Sequence, residues 1–113
     1  MNYSALCSRT INRIINQKLT IMKLQEVYKE TLDEFKKISL ESDLLEKLKN
    51  HIQEVKESGE HKRLNVRIAW DIMRWRIGTS RMCDWYRKYD CNDEHITTLA
   101  LRCMRDSKLD ELL

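Results

Sequence analysis

A chain of 113 residues, 42% apolar and 35% charged, is long enough for one domain with one core. It has no proline and only two glycines, Gly59 and Gly78, too few turn residues for an all-β fold. A net charge of +3 is by itself too small to imply nucleic acid.

Apolar residues at Tyr3, Cys7, Ile11, Ile14 and Ile15 recur every three or four positions and predict a helix over 2–20. The stripe runs on through Leu24, Val27, Tyr28, Leu32, Phe35 and Ile38. Its phase slips over 18–22, so the helix is either bent or divided there. Met22 is an alternative start, but the amphipathic pattern of 1–21 argues that these residues belong to the protein. Asp43 followed by Glu46 predicts an N-cap. Leu44, Leu45, Leu48, Ile52 and Val55 then form the apolar face of a helix that Gly59 ends in the left-handed region. Residues 60–63 form a charged linker.

Over 64–77 apolar residues cover almost the whole circumference, which predicts a helix central to a bundle or buried by a partner. Gly78 stops it, and Thr79 or Ser80 caps a short helix with Met82, Cys83, Tyr86 and Tyr89 on its apolar side. Asp90, Cys91 and Asn92 form a turn. Asn92 caps a last helix, Asp93 and Glu94 suit its first turn, and Ile96, Leu99, Ala100, Cys103 and Met104 line its inner face. The chain then frays into a polar tail.

The expected fold is therefore all-α: a long N-terminal helical arm or hairpin over 1–58, a compact three-helix C-terminal unit over 64–106, and a polar tail over 107–113. All three could belong to one domain. The arm's heptad-like stripes could pair within the chain or across a homo-oligomer. No basic start precedes a long apolar run, and no stretch approaches the roughly 18 apolar residues of a membrane span. The expectation is a cytoplasmic protein without a membrane role, its four cysteines reduced.

Residues 62–89 concentrate what is unusual. They hold all three tryptophans, Trp70, Trp75 and Trp85, and eight Lys/Arg against two acids, a local charge of +6. The rest of the chain nets −3. Arg and Trp are hot-spot residues of protein interfaces and also stack on bases. Arg74, Trp75, Arg76, Arg81, Trp85 and Arg87 are accordingly the candidate contact residues. The bland reading puts the tryptophans in the core and the arginines in surface ion pairs. Arg67 and Arg74 sit at helical spacing from Asp71 and could bracket it. Trp70 and Trp75, five apart, point in different directions, which puts one of them at an interface.

Residues 80–105 resemble the general helix-turn-helix layout, without a diagnostic motif. The N-terminus of a recognition helix approaches bases and phosphates. Here that end carries Asp90, Asp93 and Glu94, whose carboxylates would repel DNA, together with the amide Asn92. Cys83, Cys91, His95 and Cys103 could in principle form a zinc site but lack the paired CxxC spacing. Cys83 and Cys103 sit on apolar stripes, where a thiol behaves as a small hydrophobe. No nucleophile elbow, phosphate loop or HExxH occurs, and His51, His61 and His95 have no carboxylate at catalytic spacing. Neither catalysis, a cofactor nor a metal is expected.

The function expected is that of a non-catalytic protein-binding module, a regulator or inhibitor whose partner is another protein. Its size and lack of motifs fit the manner of virus-borne or mobile-element (phage) accessory proteins acting on host proteins, nucleic-acid-handling enzymes among them. The alternative is a nucleic-acid-binding protein using the same basic-aromatic patch.

Overall fold

The computed structural model describes residues 23–59 and 62–113, so the helix expected over 2–20 lies outside the described residues. Five helices and no strand make up the rest: α1 (Gln25–Leu40), α2 (Ser42–Ser58), α3 (Leu64–Ile72), α4 (Thr79–Lys88) and α5 (Asp93–Asp106). A π-helical turn (Met73–Ile77) extends α3, and a 3-10 turn (Leu109–Leu112) follows α5.

On α1, Val27, Thr31, Phe35 and Ile38 are buried at the spacing of one helical face. Thr31 satisfies its buried hydroxyl by donating to Val27 O at 2.6 Å. Burying Phe35 and Ile38 stabilises by about 1.5–3 kcal/mol each. Glu41, with extended dihedrals, alone separates α1 from α2. The cap expected at Asp43 is displaced: α2 begins at Ser42, and Asp43 sits inside its first turn. A carboxylate there favours the positive end of the helix dipole without capping it. Leu48, Ile52 and Val55 face inward, and Gly59 closes the helix at φ 67°.

The near-continuous apolar surface of α3 has a direct cause. Ile68, Ala69, Ile72, Met73 and Ile77 are buried because α2, α5 and, at the π-helical turn, α1 all pack against this one rod. The amide of Gly78 donates to Met73 O at 3.0 Å, five residues back, which widens the final turn. Gly78 then takes φ 93°, a region closed to most side chains. The cap expected from Thr79 or Ser80 does not form, because Gly78 itself occupies the N-cap position. Met82 and Trp85 are the buried residues of α4, and Cys83 is exposed. The inner face thus runs through Met82, Trp85, Tyr86 and Tyr89, with Trp85 in place of the expected Cys83.

Asn92 caps α5 as its residue type predicts. Its Oδ1 accepts from the His95 amide at 3.2 Å, and the Asn92 amide donates back to His95 Nδ1 at 2.9 Å. His95 is thereby a structural residue with its Nδ1 acting as acceptor. The polar tail does not fray: Lys108 adopts φ 64° and turns the chain so that Leu109 is buried. The buried residues of α1 to α5 and the tail form one contiguous cluster.

Candidate protein-binding groove

The six candidate contact residues separate onto different faces. Trp85 is only 6% exposed, so it is a core residue and cannot anchor a partner. Arg76, with a 22% exposed side chain, donates to Glu34 Oε2 of α1 through Nε at 3.1 Å and Nη2 at 2.9 Å. Arg81 reaches Glu30 of the same helix at 2.8 Å. These two arginines therefore fasten α1 to the end of α3 and the start of α4. Arg87 is 77% exposed and pairs within its own helix with Asp84 at 2.8 Å. Only Arg74 and Trp75 come together at a surface opening.

That opening is a groove of about 410 Å³ between α2 and α3, lined by Lys47, Leu48, His51, Asp71, Ile72, Arg74 and Trp75. Leu48 and Ile72 form an apolar floor because each belongs to the inward stripe of its helix. At the base, one carboxylate gathers three donors. Asp71 Oδ2 accepts from His51 Nε2 at 2.7 Å and from Arg67 Nε at 3.1 Å, while Oδ1 accepts from Arg74 Nη2 at 2.7 Å. Burial pushes the Asp71 carboxyl up, but the bonds from His51, Arg74 and Arg67 outweigh it and hold the group below the usual carboxylate range. The Arg67–Asp71–Arg74 bracket follows from helical spacing, whereas His51 joins from another helix.

Trp75 forms the groove wall, half-buried against the core. Lys47 Nζ lies 5.3 Å from its ring centroid and the Arg76 guanidinium 5.4 Å. These cation–π contacts brace the indole at a stabilisation of about 0.5–1 kcal/mol each. Trp70 faces the other way, as the five-residue spacing predicts. Its Nε1 donates to Thr97 Oγ1 of α5 at 2.8 Å, and the Arg74 guanidinium lies 5.7 Å from its ring.

The groove can accept an apolar group and pair it with cations at the rim. His51 and Asp71 form a hydrogen-bonded pair that the spacing of the histidines does not reveal. Asp71 is shared with two arginines, which lowers its basicity, and no hydroxyl or thiol lines the groove.

Two other expectations acquire a geometry. The thiols of the hypothetical zinc set do not converge. Among the described residues no group of three His, Cys, Asp or Glu could hold a metal, and burial pushes the Cys103 thiol up to about 12. In the helix-turn-helix layout, Asp93 and Glu94 are exposed at the start of α5, and Thr97 one turn on is tied to Trp70. The end that would meet phosphates is acidic. Among the described residues no helix is long and apolar enough to cross a membrane. Compared with protein-family models, curated proteins and solved structures, the chain matches none of them.

Proposed function

We propose that this chain is a non-catalytic protein-binding module, a small regulator or inhibitor that acts by covering part of another protein. The partner contributes an apolar side chain flanked by acids. The apolar side chain enters the α2–α3 groove against Trp75, and the acids meet Lys47 and Arg74. The observation that carries this reading is the position of Trp75: an indole braced by two cations as the wall of an open, apolar-floored groove. Rigid aromatic anchors beside arginine are the features on which interface energy concentrates.

Charge supports a separate partner molecule over the chain's own first 22 residues. Residues 1–22 carry Arg9, Arg13 and Lys18 and no acid, so they do not complement a groove rimmed by Lys47 and Arg74. Direct nucleic-acid binding is less well supported. The Trp70 indole is tied to Thr97 and covered by Arg74, so it is not presented for base stacking. Arg76 and Arg81 already serve Glu34 and Glu30.

The test is capture of partners from the native cell on immobilised protein, with nuclease present, for the wild type and Trp75→Ala. A discrete protein retained by the wild type and lost by the variant is the expected result. Salt separates the two readings. Nucleic-acid affinity falls steeply with log salt through counter-ion release, whereas a contact anchored on Trp75 changes little.

A further inference from the structure

Among the described residues, the arginines of α3 to α5 and the π-helical turn fall into two groups. Arg67, Arg74, Arg76, Arg81 and Arg87 each donate to a carboxylate at 2.7 to 3.1 Å. Arg102 and Arg105, in the last turns of α5, do not share that geometry. They approach the carboxylate of Asp106 at longer range, 3.6 Å from Arg102 Nε and 3.5 Å from Arg105 Nε. Asp106 is already engaged, because the Tyr28 hydroxyl of α1 donates to its Oδ2 through a short bond. That bond, ahead of the charges of Arg105 and Arg102, holds the Asp106 carboxyl below its usual range. The phenol thus occupies Oδ2, the oxygen that Arg102 faces, while Arg105 makes only a long approach to Oδ1.

Two consequences are visible. Arg102 Nε is buried without a hydrogen-bond acceptor, a state that native proteins rarely leave open, although the side chain as a whole is 38% exposed. The Arg102 guanidinium also lies 4.6 Å from the centroid of the Tyr28 ring, which fixes its plane in advance of any ligand. Both arginines line a cavity of about 640 Å³ together with Asn65, Thr98, Leu101, Met104 and Asp110. This cavity lies away from the α2–α3 groove and shares no lining residue with it.

We propose that this cavity is an oxyanion-binding site in which Arg102 and Arg105 hold the phosphate or carboxylate group of a small molecule. The guanidinium fork matches such groups geometrically, and a planar, stacked arginine loses little freedom on binding them. Asn65 can contribute an amide donor, and Leu101 offers an apolar wall. Asp110 opposes the anion and limits how tightly a bare oxyanion binds. Its position suits a ligand that carries a hydroxyl or ammonium donor beside the anionic group. The site is independent of the proposed protein-binding role.

The test titrates the full chain with inorganic phosphate and, separately, with acetate, against chloride at matched ionic strength, following amide NMR shifts. A saturable response to either anion, centred on α5 and the start of α3, is expected, and the anion that produces it identifies the ligand group. Arg102→Gln should weaken it at least tenfold and Asp110→Asn should strengthen it. Arg102→Lys, which keeps the charge and the fold but loses the fork, should weaken carboxylate binding more than a point-charge effect would. No saturable response beyond chloride overturns the proposal. So does a response that Arg102→Gln and Arg105→Gln both leave intact.

Discussion

Trp70 and Trp75 are the same residue type, five positions apart on one rod, with similar half-burial and a cation against each ring. Their surroundings nevertheless differ. Trp70 closes a junction: its indole N–H is bonded to Thr97, and α5 packs across it. Trp75 borders an open groove. The difference teaches that an Arg/Trp-rich composition marks where interaction energy is concentrated, not whether the interaction is internal. The arginines divide in the same way, with Arg76 and Arg81 spent on holding α1 and Arg74 left at a rim.

The comparison breaks first at Trp75. Trp75→Ala should weaken partner binding by about thirtyfold, roughly 2 kcal/mol, in a direct titration of whatever protein is captured. Trp70→Phe should leave that affinity unchanged.

Asp71→Asn comes next, since it removes the acceptor that His51, Arg67 and Arg74 share. A cost of about 1–2 kcal/mol in urea unfolding is expected, reduced from a fully buried case by the exposure of both arginines. The pH dependence has a definite sign. The folded-state carboxyl lies below its ordinary value of about 3.9, so its contribution is present above that value and is lost as pH falls through the folded one. Asp71→Asn should flatten the stability profile in that acid window; an unchanged slope would remove Asp71 from the account.

Smaller effects sharpen the contrast. Trp70→Phe should cost about 1 kcal/mol of stability through the lost bond, the Thr97 hydroxyl keeping its own bond to Asp93 O, as read by thermal melting. Arg87→Ala, at an exposed pair within one helix, should change stability by about 0.5 kcal/mol or less. A large effect there would mean that exposed ion pairs matter more in this protein than their solvation allows.

What was legible in the sequence was local. Gly59, Gly78 and Asn92 mark helix ends because backbone chemistry within a few residues decides them. The Asp71 bracket follows from helical spacing, and the all-round apolar surface of α3 signals its central position. The all-helical class was legible for the same reason. What was not legible depends on pairs distant in the chain: His51 with Asp71, Glu34 with Arg76, Glu30 with Arg81, Tyr28 with Asp106. A one-dimensional pattern shows that Trp85 lies among basic residues. It does not show that α4 rotates Trp85 rather than Cys83 into the core. The groove wall supplied by Lys47, Leu48 and His51 was missed because α2 reads as an ordinary amphipathic helix, and only its packing beside α3 makes those residues a surface.

The most direct test of the central claim is nuclease-treated capture with three forms of the full chain: wild type, Trp75→Ala and Trp70→Phe. Each is first shown by circular dichroism to keep its helical content. The expected result is one protein partner retained by the wild type and Trp70→Phe and lost by Trp75→Ala. Equal retention by all three, or loss of every partner on nuclease treatment, would contradict the assignment of the α2–α3 groove as a protein-binding surface.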